Sequence, residues 1–327
     1  MDKRRLQMSV VIRNASVLIV LLSMSVAHAG DLSEVMTDPG DRAVYQWLLK
    51  RAGKQAHIER NKNGDVQWIG YKGESKYTAS LYLDEQGHVV RLMFNKPAFR
   101  NDELDELAKF RHVKKLKLWH NFDDKGPNGY RTGPDPMSGA GWSAFKDHGV
   151  TSFSIGGCNF DGDGLRATAT FPKLDELGFS HTRVSDADLA ALKGHPTLRS
   201  IRMSPMWSDH ITNKALEHVA TIPNLQQLRI NETYLTYEHG LKHLEKLRGT
   251  LREVDLDNCV ITPEDVARFK SAMPKVTVKQ KPIEEVGRLI ATNFKGAYRK
   301  LSKRAPKEVI EHFRKIGEKA AQDAKEE

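Results

Sequence analysis

Apolar residues occupy the first, fourth and sixth places of a short phrase that returns along the chain every 23 to 27 residues. The phrase reads Leu174-x-x-Leu177-x-Phe179, Leu198-x-x-Ile201-x-Met203, Leu225-x-x-Leu228-x-Ile230 and Leu251-x-x-Val254-x-Leu256. Earlier copies begin at Val66, Val89, Val113 and Val150, and a shortened last one is Val276-Thr277-Val278. Alternation at this spacing predicts a strand with one apolar side. Between phrases the apolar residues change to helical spacing, as in Val184, Leu189, Leu192 and again in Ile261, Val266, Phe269. Each unit therefore predicts a strand, a turn and a helix. No unit can bury its own apolar edge, so the units must stack into a solenoid.

Hydroxyl-then-acid runs mark helix starts at Ser185-Asp186-Ala187-Asp188 and Thr262-Pro263-Glu264-Asp265. Residues 30–60 predict a short helical cap, with apolar Ala43, Tyr45, Trp47, Leu48 and Leu49 ending near Gly53. The repeats are assigned to residues 61–280. Leu116 and Phe153 lie 37 residues apart, about one half-repeat too far. The excess falls in a Gly- and Pro-rich loop, 122–141, which is either a functional rim loop or a tolerated insertion. Residues 281–327 predict two amphipathic helices separated by Pro306. They either cap the open end of the solenoid or form an arm whose basic side meets an anionic surface.

The stretch from Val66 to Val278 resembles leucine-rich-repeat proteins of the ribonuclease-inhibitor-like class. It is most similar to exported bacterial members carrying a Thr-x-Val-Ser/Thr-Asp-x-x-Leu phrase, present here as Thr182-Arg183-Val184-Ser185-Asp186-Ala187-Asp188-Leu189. The resemblance implies an α/β leucine-rich-repeat solenoid, with parallel β-strands on the concave side, helices on the convex side and a helical C-terminal extension. It covers about two thirds of the chain and is nearly silent on activity.

The fifth, seventh and eighth positions of each phrase face the concave side and are free to vary. The strand at Val113 brings Lys114, Lys115, Lys117, Trp119 and His120 there. Next to it Ser154, Gly156, Gly157 and Gly178 make a floor of small residues, beside which Trp119 could stack on a ligand or pack against the insertion. Further along come His181, Arg202 and Arg229, and then the acidic Glu253, Asp255 and Asp257. The candidate ligand-binding residues are thus Lys115, Lys117, Trp119, His120, His181, Arg202 and Arg229.

The chain carries 51 Lys and Arg against 42 Asp and Glu, a formal charge of +9. Residues 281–327 hold 12 basic and 8 acidic residues, so much of the excess is local and specific nucleic-acid binding is not expected. Lys3, Arg4, Arg5 and Arg13, the apolar stretch Ala15 to Val26, and Ala27-His28-Ala29 read as a signal peptide over residues 1–29, with cleavage before Gly30. An uncleaved anchor is the alternative, and a secreted or periplasmic location is expected. Cys158 and Cys259 both take the ninth place of the phrase, four repeats apart. Strands about 4.8 Å apart separate them by roughly 20 Å, against the about 7 Å limit between disulfide-bonded Cα atoms. Two free, buried thiols are expected.

Apparent chemistry is weak. Asn159-x-Asp161-x-Asp163-Gly164 resembles a calcium loop, but Thr170 stands where a bidentate Glu is needed. Ser208-Asp209-His210 has triad letters without triad spacing. No catalytic residue, metal ligand or cofactor is expected. The expected role is non-enzymatic recognition of a protein or cell-envelope polymer by a monomer. The rivals are an extracytoplasmic hydrolase or metal-dependent enzyme, and an envelope spacer attached through its basic tail.

Overall fold

The first, fourth and sixth positions need a common interior, and the strand register supplies it. In a computed structural model the described residues are 32–52, 57–60, 66–72, 75–95, 99–120, 139–205, 210–292 and 304–326. Among them eleven strands form one sheet whose spatial order follows the chain. From β4 (Val89–Asn95) onward every neighbour is parallel: β5 (Lys115–Trp119), β6 (Ser152–Gly156), β7 (Glu176–Ser180), β8 (Ser200–Ser204), β9 (Gln227–Ile230), β10 (Glu253–Asp255) and β11 (Thr277–Lys279). Leu116, Phe153, Leu177, Ile201, Leu228 and Val254 stand side by side in this register, and all are buried. This is the leucine-rich-repeat solenoid that the periodicity predicts.

The convex side departs from the expected run of true helices. Short α-helices α2 (Leu104–Leu107), α3 (Gly162–Thr168) and α4 (Ala215–Val219) alternate with 3-10 turns at Ala140–Phe145, Ala187–Leu192 and Leu241–Leu247. Only α5 (Pro263–Ala272) reaches ten residues. A repeat of about 24 residues spends so many on strand and turns that one or two helical turns fit in the remainder. Thr262 caps α5 by accepting from the Asp265 amide, with Pro263 in the first turn. Asp161 accepts from the amides of Asp163 and Gly164 and caps α3, which accounts for the calcium-like spacing as a helix start. Ser185 caps nothing: its hydroxyl donates to Asp188, 2.7 Å away.

The N-terminal end also departs from the expected register. α1 (Pro39–Ala52) precedes β1 (His57–Arg60), β2 (Val66–Lys72) and β3 (Ser75–Leu83), and β1 to β4 pair antiparallel. The phrase at Val66 is therefore not a repeat strand. Only two residues separate β2 from β3, whereas a parallel crossover needs a dozen or more. The turn into β4 is closed by Gly87, in the left-handed region at φ 81°. α1 buries Val44, Tyr45 and Leu48 against the first repeats. Its Asp41 carboxylate accepts the Val89 amide at 2.7 Å, tying the cap to β4.

The tail helices pack along one edge of the coil. α6 (Ile283–Ala291) and α7 (Lys307–Glu326) pack on each other, burying Val286 and Ile290 against Ile310 and Phe313. This cluster closes on Val260 and Tyr234, at the edge where the strands end, and not on β11 at the open end of the coil. Arg304 adds a hydrogen bond to the Ile211 carbonyl on the same edge. The helices touch at Gly287 and Gly317, where any Cβ would overlap the other backbone.

Cys158 and Cys259 are free and buried. In the ninth slot the Cys259 thiol donates to Ile230 O at 3.1 Å, as the Thr233 hydroxyl donates to Ile211 O at 3.0 Å. Burial pushes the Cys259 thiol up to about 12. Because both are buried, the two thiols should react with a water-soluble disulfide reagent roughly a hundredfold slower in the native protein than in denaturant. Rapid native labelling would contradict the slot. Gly317→Ala should cost the tail about 1–3 kcal/mol by overpacking. The check is faster proteolysis of residues 281–327 with an unchanged solenoid near-UV spectrum.

Candidate ligand-binding face

Parallel register turns sequence spacing into adjacency. The fifth positions form one row across the concave face: Met93, Lys117, Ser154, Gly178, Arg202, Arg229, Asp255 and Lys279. Beside it runs a second row, Asn95, Trp119, Gly156, Ser180 and Ser204. A side chain in either row lies over its neighbours' positions, so small residues decide how far it can reach.

The floor of small residues is occupied from both sides. The Trp119 ring lies on Gly156, where a Cβ would stand 2.6 Å from it. His120 covers Gly157 in the same way, at 2.7 Å. From β8, Arg202 crosses Gly178 and donates to Ser154 Oγ at 3.2 Å. Its guanidinium carbon ends 6.0 Å from the centre of the Trp119 ring, although two strands, β6 and β7, lie between the two residues in the sheet. Lys117 Nζ lies 5.6 Å from the same ring centre. Two cations thus meet over one indole, within cation–π range. Among the described residues neither has a carboxylate within 4.0 Å. Burial, then Arg202 and Arg91, hold the Lys117 ammonium below its ordinary range. Burial and Arg229 do the same to Arg202. Among the described residues the buried indole Nε1 has no acceptor.

The eighth positions form a ledge where the strands end. His120, Gly157, His181, Glu232 and Asn258 have φ between 53° and 61°. Pro205 occupies this place after β8, where its ring forbids that conformation. A left-handed backbone is costly for His and Glu, so these side chains are held there by the fold. His181 Nε2 lies 2.9 Å from Glu232 Oε2, and Ser204 Oγ donates to the same oxygen at 2.5 Å. The order is Ser–Glu–His. A nucleophile needs the base beside it, so this arrangement is a brace and not a hydrolase triad. His120 Nδ1 pairs with Asn95 Oδ1 at 3.0 Å. His120 and His181 remain two strands apart and do not meet.

The far end of the face is neutralised from within. Arg229 reaches the buried Asp255 carboxylate at 2.5 Å, so this predicted binding cation is already paired. Lys279 pairs with Glu253 at 2.8 Å. Asp257 is pushed above the ordinary carboxylate range by burial and by Asp255. Lys115 is exposed at the rim of β5.

Of the predicted residues, the structure brings Lys117, Trp119 and Arg202 together. It places His181 in the brace and Arg229 in an ion pair. The sequence reading missed Arg91, Ser154 as a partner of Arg202, and Glu232. Arg91 was findable, because its third position stands beside Lys115 in the register. Most of loop 122–141, the segment Ser208-Asp209, and the signal-peptide residues lie outside the described residues. Among the described residues no group of His, Cys, Asp and Glu is arranged to hold a metal ion. Among them no helix is long and apolar enough to cross a membrane.

No protein-family model and no curated protein matches the sequence. Among solved structures, the chain is similar to a leucine-rich-repeat protein of Leptospira interrogans, at 15% identity over 54% of this chain and 45% of that one, TM-score 0.34. An internalin of Listeria monocytogenes gives 12% identity over 54% of this chain and 65% of that one, TM-score 0.28. A leucine-rich-repeat protein of Bacteroides eggerthii gives 9% identity over 69% and 43%, TM-score 0.27. In each case less than two thirds of the other chain is covered. At such TM-scores the likeness carries no argument, and the architecture rests on the register itself.

Gly156→Ala should lift the indole off the sheet and cost about 1–3 kcal/mol through the forced shift. Near-UV circular dichroism, compared in wild-type and Trp119→Phe backgrounds, checks it. Equal spectral changes in both backgrounds would show that Trp119 does not rest on this glycine.

Proposed function

We propose that this chain is a non-enzymatic recognition protein that binds a protein partner through its concave face. The reading rests on one observation above all. Lys117, Arg202 and Trp119 converge on the middle of the sheet face, and among the described residues no carboxylate satisfies the two cations. Elsewhere on the face Arg229 and Lys279 have intramolecular partners. An aromatic flanked by Arg is the composition of energetic hot spots in protein interfaces. The Ser–Glu–His order on the ledge supports binding over hydrolysis.

The work is done outside the cytoplasm on this reading, which follows from the basic and apolar N-terminus with Ala27-His28-Ala29. A cell-envelope polymer is the second ligand class the same face could serve. The tail is a docked brace for the strand-exit edge. Its Arg314 is paired on its own helix with Glu311 and Glu318, which leaves less charge for an anionic surface.

Affinity capture with residues 30–327, run beside Trp119→Ala, Arg202→Ala and the convex-face control Lys270→Ala, tests the reading. Truncating a hot-spot aromatic or Arg costs about 2 kcal/mol or more. Each concave variant should therefore retain its fold and hold a captured partner at least tenfold more weakly, with the control unchanged. Capture undiminished in both concave variants would move the site off this face.

A further inference from the structure

Resting on the concave-face reading, we infer that Lys117, Arg202 and Trp119 form an anchor for a single carboxylate of a peptide partner. Among the described residues the anchor offers positively charged donors and no carboxylate. Arg202 brings a guanidinium across Gly178, Lys117 brings an ammonium, and Ser154 steadies the guanidinium with its hydroxyl. Arg91, in the neighbouring strand β4, is stacked on Tyr82 at 4.5 Å and has no carboxylate within 4.0 Å among the described residues. Burial weighs on both cations, as do neighbouring charges, Arg202 on Lys117 and Arg229 on Arg202. One anion would relieve that repulsion, and a guanidinium fork matches a carboxylate.

The surroundings decide how much negative charge fits. Lys117 and Arg202 converge on one indole, while Arg91 stays over Tyr82, so the unpaired cations do not line up along the face. A polyanion needs a row of cations to track its repeating charges. Along the next strands Arg229 is taken by Asp255 and Lys279 by Glu253, so a second anion moving that way finds its cations already neutralised. A peptide with one acidic residue followed by neutral or basic residues needs no second cationic site. The Trp119 ring beneath supplies a flat apolar surface for the methylenes or ring next to that acid.

The test follows the Trp119 indole N–H resonance, assigned with Trp119→Phe, during titration of the full chain. The probes are N-acetylglutamate amide, N-acetylglutamine amide, inorganic phosphate and a heparin oligosaccharide. The glutamate probe should give a saturable shift that the glutamine probe does not. That affinity should fall at least tenfold in Arg202→Gln and in Lys117→Gln, and stay unchanged in Lys270→Gln. Absence of a saturable shift, or a shift kept in both Gln variants, would overturn the anchor. Phosphate or heparin binding in preference to the glutamate probe would overturn its assignment to a peptide carboxylate. If the anchor fails while Trp119→Ala and Arg202→Ala still weaken capture, the face is right and the ligand chemistry is wrong. If capture also persists in those variants, the concave-face reading falls with it.

Discussion

A strand carrying Leu174, Leu177 and Phe179 has no partner for its apolar side within its own 24-residue unit. That side is buried only when Val150, Phe153 and Ile155 stand before it and Leu198, Ile201 and Met203 behind it. Hydrophobic burial of about 25 cal/mol per Å² makes this ladder the main source of stability, and it fixes the register along the whole array. A slip of one residue would turn the row Lys117, Ser154, Gly178, Arg202 into the core. The concave rows therefore exist because the core ladder holds its register.

The ladder also explains why residues far apart in sequence act as one group. Lys117 and Arg202 are three strands apart in a sheet of about 4.8 Å spacing, farther than either side chain would be expected to bridge over bulky neighbours. Gly178 and Gly156 remove the obstruction, and the long side chains lie down along the sheet. At the other end Asp255 and Glu253 take up Arg229 and Lys279. Among the described residues one half of the face is self-neutralised and the other is left cationic. The left-handed ledge residues stiffen the rim between them, through His181, Glu232 and Ser204.

The ends obey different physics from the middle. A first repeat has no predecessor, and a bare edge strand invites pairing with other chains. The antiparallel strands β1 to β3 and the Asp41–Val89 bond of α1 occupy that edge. At the other terminus the glycine contact between Gly287 and Gly317 lets α6 and α7 approach closely, and their shared apolar seam fastens on Val260 and Tyr234. Phase alone did not reveal either arrangement. Val66 stands 23 residues before Val89, a repeat-like distance, yet it belongs to a hairpin. The signal for the hairpin was the alternating segment Ser75–Leu83, which leaves only two residues for the turn from β2.

What the sequence by itself determined is whatever repeats: the parallel strands, the inward positions, the free buried thiols of Cys158 and Cys259, and the rows to which Lys117, Trp119, His120, His181, Arg202 and Arg229 belong. A period and an alternation are local facts, and stacking identical units converts them directly into neighbours. Only the tertiary structure decided which of those neighbours touch. Arg229 was free by composition, and it is taken by Asp255 because that carboxylate is buried on the adjacent strand. Arg202 was one more surface cation, and it reaches Trp119 because two glycines leave the path open. The direction a long side chain takes depends on the charge and bulk of residues two and three strands away, and no local pattern in the chain carries that information.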